Sequence, residues 1–218
     1  MPITKEIVNS FNTFLKKCDT SFRLVVVDMK DDWVKRLSSF ADDSGDCHPV
    51  GEYDIIQYAF VAVEKDSNEI ASYVSFSVLN GTLSKMPNVK SFVREYIDTN
   101  GDVDINSIIL EFSCTHPKYR RRGLSVLLRL LIITFAIQEG FDAVLSATNE
   151  QSGSLLRDKF GFEVKEEDDM DYLNSYFIPE LYLSNGVLIN AKLILQSQYL
   201  EKYRDIYSNL QKCSITKN

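Results

Sequence analysis

The stretch from Ser107 to Gln138 constrains the fold more than any other part of the 218-residue chain. Ser107–Thr115 is apolar at its centre apart from Glu111, which reads as a strand. A polar, basic loop follows, His116-Pro117-Lys118-Tyr119-Arg120-Arg121-Arg122. From Gly123 to Gln138, residues Leu124, Leu127, Leu128, Leu131 and Phe135 share one helical face, and Gly140 supplies a stop. A strand running through a basic loop into a helix is an anion site in physical terms. The first N–H groups of a helix lack intrahelical acceptors, and the helix dipole adds positive potential there. Gly123 lets a diphosphate come close to the backbone, Ser125 leaves the first turn uncrowded, and Arg120–Arg122 add charge.

Upstream, Thr4–Lys17 has the spacing of an amphipathic helix and Phe22–Met29 that of a strand. Asp31 is placed to cap a helix with Trp33, Leu37 and Phe40 on one face, and Ala41–Tyr53 reads as a polar loop. Strands Tyr58–Glu64 and Ile70–Leu79 are joined by Lys65–Glu69, and Val89–Ile97 reads as a short helix. Downstream come a strand at Phe141–Ala147, a helix at Ser152–Phe160 ending on Gly161, and a strand at Phe162–Lys165. Leu181–Leu183 and Val187–Asn190 flank Asn185-Gly186 as candidate partners, and Leu195–Leu210 carries a helical stripe of Tyr199, Tyr203, Ile206 and Leu210. Consecutive strands early and alternating strands and helices later imply an α/β (α+β) protein, a mixed sheet with helices on its faces.

The 107–125 unit resembles the acyl-CoA-binding motif of the GNAT superfamily of N-acetyltransferases, Arg/Gln-x-x-Gly-x-Gly/Ala. Arg120 stands at the first position, Gly123 at the central glycine and Ser125 at the last. A second segment also matches the family pattern: Val144–Ala147, Asn149, Ser152–Phe160 and Gly161-Phe162. The resemblance implies one GNAT domain over 1–218, with a CoA-binding core at about 105–165. Its sheet is mixed and splayed, and helices 4–17 and 195–210 are additions to it. By the same resemblance, Arg120, Arg121, Arg122, Gly123, Leu124, Ser125 and Val126 would cradle the pyrophosphate of acetyl-CoA. The backbone of Ser113, Cys114 and Thr115 would pair with the pantetheine arm like an added strand, and Asn149 would touch the arm from the other side. Arg157 stands where many members carry the tyrosine that protonates the leaving thiolate, in the ungapped register from Gly161. In that register Glu150 takes the usual Asn position, so Asn149 meets the pattern with a shift of one residue. Ser152 and Ser154 are the fallback acids, since some arylalkylamine-type members use serines in this helix.

The implied reaction is acetyl transfer from acetyl-CoA to a primary amine by direct attack in a ternary complex. The alternative is a silent module that only holds CoA or an acyl-CoA. Glu111 is the candidate base, because it interrupts an apolar run on the face of Ile109, Ser113 and Thr115. A structural carboxylate paired with a local Arg is the competing reading of the same residue. Cys114 alternates with Leu110 and Phe112 onto the core side. His48, with Asp46 and Glu52, lies in a loop that often lines the acceptor pocket in the superfamily, and a solvated loop is the plainer reading.

The net charge of -7 argues against nucleic acid as a partner. The most apolar stretch, Leu124–Ile137, contains Arg129 and is too short to span a bilayer, so no membrane is expected. Cys18, Cys47, Cys114 and Cys213 follow no zinc or CxxC spacing, and no apolar leader follows Met1. Free thiols, no metal and a cytoplasmic location are the expectations, with a monomer or homodimer as the assembly.

Overall fold

The computed structural model describes residues 9, 12–13, 21–45, 47, 57–82, 104–166 and 188–194. The β-branched run in Phe22–Asp28 forms strand β1, which pairs antiparallel with β2, Tyr58–Glu64, from Phe22↔Glu64 to Asp28↔Tyr58. Asn12 occupies the free side of β1. Its Nδ2 donates to the Leu24 carbonyl at 3.0 Å and its Oδ1 accepts from Leu24 N at 2.7 Å, much as a strand partner would. Between these strands runs helix α1, Asp31–Ser44. Its N-cap is Lys30 rather than the expected Asp31, with no side-chain cap bond. The helix also continues through Ala41 into the segment expected to be loop, and ends on Gly45 at φ 81°. Ser44 supports that last turn by donating its hydroxyl to the Phe40 carbonyl at 2.7 Å.

Strand β3, Ile70–Thr82, returns antiparallel to β2. Strand β4, Asp104–Thr115, is followed by a 3-10 turn at Pro117–Tyr119 and by helix α2, Leu124–Gln138. Strand β5 spans Ala143–Asn149. Helix α3, Glu150–Leu155, passes into a π turn at Leu156–Phe160 capped by Gly161, and β6 (Glu163–Glu166) and β7 (Leu188–Ile194) follow. The pairing order is β1-β2-β3-β4-β5-β7-β6. The β4–β5 ladder is parallel and β5–β7 and β6–β7 are antiparallel, so the sheet is mixed, as expected.

The described residues fall into two compact units. The first holds β1, α1, β2, β3 to Ser77, β4 from Glu111, and α2. On one face of its strands α1 buries Leu37 and Phe40 against Val27, Ala59, Val61, Val63, Tyr73 and Cys114. On the other, Phe135 of α2 meets Phe60 and Phe76, with centroids 6.4 and 6.3 Å apart. Helix α2 is buried beyond the single face expected, since Leu130, Ile132 and Ile133 are buried along with Leu124, Leu127, Leu128 and Leu131. The second unit holds β3 from Val78, β4 to Leu110, β5, α3, β6 and β7. Its β4–β5 ladder joins Ser107–Leu110 to Ala143–Ser146.

Cys47 and Cys114 form a disulfide, with Cα atoms 5.5 Å apart, which corrects the expectation of free thiols. The two are 67 positions apart, and folding brings them together by setting the segment after α1 against β4. Spacing along the chain carries no trace of that. Among the described residues, no helix is long and apolar enough to cross a membrane. Of helix 4–17 only Asn9, Asn12 and Thr13 are described, all helical. The expected elements at 89–97, 181–183 and 195–210 lie outside the described residues, as do His48, Cys18 and Cys213.

Candidate acyl-CoA site

The end of β4 and the loop into α2 build the site, all within the first unit. Phe112 N donates to Ser75 Oγ at 3.0 Å, the Cys114 carbonyl accepts from Ser72 Oγ at 2.8 Å, and His116 N donates to the Ala71 carbonyl at 3.0 Å. Even-numbered residues thus turn their backbone groups towards β3. By strand alternation, Ser113 and Thr115 turn theirs to the opposite edge. Phe112 and Cys114 also send their side chains into the α1 core, while Ser113 reaches α2. Glu111 shares the face of Ser113 by the same period and is half-buried.

The lead-in to the loop is pinned by a polar cluster. The buried Tyr119 hydroxyl donates to Glu64 Oε2 at 2.8 Å and Glu69 Oε2 at 3.2 Å, and Lys118 Nζ stands 3.3 Å from Glu69 and 3.7 Å from Glu64. The Ser67 hydroxyl, then the Tyr119 hydroxyl, hold Glu64 below its ordinary carboxylate range, and Lys118 and Tyr119 do the same for Glu69. Hydrogen bonding to Tyr119 and Glu69 raises Lys118, while burial raises the Tyr119 phenol. His116 caps the 3-10 turn, its Nδ1 accepting from Lys118 N at 3.2 Å.

The three arginines then part company. Arg120 ties the loop down, with Nε donating to the Thr115 carbonyl at 3.1 Å and Nη2 to the Ser44 carbonyl at 3.4 Å. Arg121 is exposed and has φ 63°, a left-handed conformation rare for a bulky residue. Arg122 lies over the Phe22 ring, 4.4 Å from its centroid. Gly123, at φ 74°, is the second left-handed residue in three. A Cβ built on Gly123 would meet nothing within 4 Å, so the space in front of it is open. Leu127 N donates to the Gly123 carbonyl at 2.9 Å, which starts the α2 ladder. The N–H groups of Leu124, Ser125 and Val126 are therefore those of a first helical turn, which lack intrahelical acceptors. Two left-handed residues before a helix start make a concave backbone turn suited to an anion.

A further functional candidate, Arg129, lies outside the loop motif. Arg129 of α2 is only 6% exposed, and its guanidinium donates to the Ser125 carbonyl at 3.4 Å, to Ser125 Oγ, and to Ser113 Oγ at 2.7 Å. The signal for it was a single cation inside an apolar helix.

The remaining expected residues lie in the second unit. Asn149 ends β5 and pairs with Leu188. Ser152 and Ser154 are half-buried in α3. Arg157 is exposed and ion-pairs with Asp158 at 3.0 Å. Among the described residues, no group of three or more His, Cys, Asp or Glu could hold a metal ion.

The fold is that of the GNAT acetyltransferases. In particular, the chain is similar to mosquito arylalkylamine N-acetyltransferase like 5b, with 12% identity over 79% of this chain and 100% of the other, and a TM-score of 0.53. It is similar to a chain of the NatC complex bound to Gag peptide and CoA, with 13% identity, 79% and 99% coverage and a TM-score of 0.52. It is also similar to Arabidopsis thaliana NAA60 in complex with acetyl-CoA, with 11% identity, 79% and 99% coverage and a TM-score of 0.51. No protein-family model matches the chain, and no curated protein matches it in sequence.

Proposed function

We propose that this protein is an acyl-CoA-dependent N-acyltransferase that moves an acetyl group from acetyl-CoA to a primary amine. The observation that carries this reading is the left-handed turn at Arg121 and Gly123, set between a strand end and the first turn of α2. The diphosphate of acetyl-CoA meets the Arg121–Val126 backbone and the helix dipole there. Arg120 contributes chiefly by holding the loop shape through Thr115 and Ser44. The pantetheine arm pairs along the edge of β4 through the backbone of Ser113 and Thr115, because the backbone groups of Phe112, Cys114 and His116 turn towards β3. Asn149, Ser152 and Ser154, all in the second unit, are candidates by family resemblance alone.

The amine attacks the thioester carbonyl directly. Its proton passes to Glu111 or to a water held by it, the C–N bond forms, and the C–S bond breaks to release CoA thiolate, which is then protonated. A second reading, a CoA-binding module without turnover, is favoured by Arg157, since an exposed ion pair stands where the family's phenol acid is usual. The test is release of free CoA thiol from acetyl-CoA across a panel of primary amines, alongside calorimetry with CoA. Amine-dependent release, reduced roughly 100-fold or more in Glu111→Gln, is expected for a general base. CoA binding with no release for any amine would overturn the enzyme reading and leave the silent module.

A further inference from the structure

A cation inside an apolar helix is costly unless an anion or a full set of acceptors meets it. Arg129 is 6% exposed, and among the described residues its guanidinium meets no carboxylate. Burial pulls its pKa down to about 10, which still leaves it protonated at neutral pH. Its partners are two hydroxyls and one backbone carbonyl. A guanidinium has donors only, so Ser113 and Ser125 each accept from it through an oxygen lone pair. Each hydroxyl proton is thereby left to point elsewhere, and among the described residues neither finds an acceptor. Ser125 lies in the first turn of α2 and Ser113 near the end of β4, so the donors stand where strand end and helix start converge. In a helix the side chain leans towards the N-terminus, which is how Arg129 reaches back one turn to Ser125.

We propose that Arg129, through Ser113 and Ser125, is a positioning residue for the diphosphate end of acyl-CoA, supplying the buried positive charge that the ligand neutralises and turning both hydroxyl protons towards its oxygens. This rests on the acyl-CoA reading above, and it assigns a role to a residue outside the loop motif. It also explains why Ser125 replaces the usual Gly or Ala: the small residue here is itself a donor, polarised from behind by a guanidinium.

The proposal sets opposite signs for stability and binding. A structural arginine lowers the melting temperature when removed, whereas a cation awaiting its anion does not. Arg129→Met therefore melts at or above wild type without ligand, loses most of the CoA-induced rise in melting temperature, and binds CoA roughly 10- to 100-fold more weakly by calorimetry. Ser113→Ala/Ser125→Ala, which changes little volume, binds CoA roughly tenfold more weakly. A lower melting temperature for Arg129→Met with unchanged CoA affinity overturns the proposal. So does unchanged CoA affinity joined to an altered preference between acetyl-CoA and succinyl-CoA, which moves the cation to the acyl end. If Arg129→Met does not fold, unchanged CoA affinity in the serine pair overturns it. If wild type binds no CoA, the acyl-CoA reading fails, and inorganic pyrophosphate decides this one: binding to wild type but not to Arg129→Met supports it, and no binding to wild type overturns it.

Discussion

At the scale of single residues, the loop before α2 depends on backbone conformation more than on its charges. Arg121 and Gly123 are both left-handed, while Arg120 engages carbonyl oxygens and Arg122 the Phe22 ring. Because a Cβ on Gly123 meets nothing, Gly123→Ala costs only the conformational penalty, about 1 kcal/mol, and lowers the melting temperature slightly. Gly123→Asp carries the same penalty and adds a carboxylate facing the open space, so CoA binding is lost in calorimetry while the fold survives by circular dichroism. Full affinity in the Asp variant would refute the placement of the diphosphate. The basic run and its glycine are legible in the sequence. That Arg120 braces the loop through Ser44 is not, since the two are distant along the chain and meet only once α1 has packed.

At the scale of elements, the periodicities of two and 3.6 located β1, β2, β3, β4, α1 and α2, because burial imposes those periods. Their limits failed where local signals competed. Asp31 looked like a cap, yet the chain turns into the helix one residue earlier, at Lys30. The pattern of helix α2 implies one apolar face, yet the helix is buried on several sides, because Leu130, Ile132 and Ile133 are apolar as well. The Cys47–Cys114 bridge had no local signal at all. In the loop-entropy account, closing 67 positions stabilises the fold by about 4 kcal/mol. Reduction, or Cys47→Ser, accordingly lowers the melting temperature by several degrees or more, and non-reduced peptide mapping recovers the 47–114 cross-link. An unchanged melting temperature on reduction would remove the bridge from the fold's stability. Disulfides are rare in cytosolic proteins, so the bridge takes away the support that cysteine spacing lends to a cytoplasmic location.

For the molecule as a whole, the GNAT fold was legible from two separated segments, 107–125 and 141–162, because each encodes a complete strand-to-helix transition. The carboxylate cluster at Glu64 and Glu69 was not, as it joins a hairpin to the 3-10 turn across the sheet. That cluster sets a pH dependence. Both carboxyls lie below their ordinary value of 4.5 in the folded state, so their contribution is present above pH 4.5 and fades as the pH falls below it. Lys118 is raised, so its share persists through neutral pH and is lost only on strongly alkaline titration. Thermal melts should show an acid limb beginning below pH 4.5, and Glu64→Gln/Glu69→Gln should flatten it. A double variant with an undiminished acid limb would assign that limb to other groups.

The end of β4 alternates between two obligations. Phe112 and Cys114 answer to the α1 core, while Ser113, and Glu111 by period, answer to the opposite face. A single-residue insertion or deletion in this strand would exchange the two sets, burying a hydroxyl in the core and presenting a cysteine to the donor cluster. Point substitutions at the odd positions therefore change the face turned away from the α1 core and leave the scaffold intact, whereas a change in the strand's length does not.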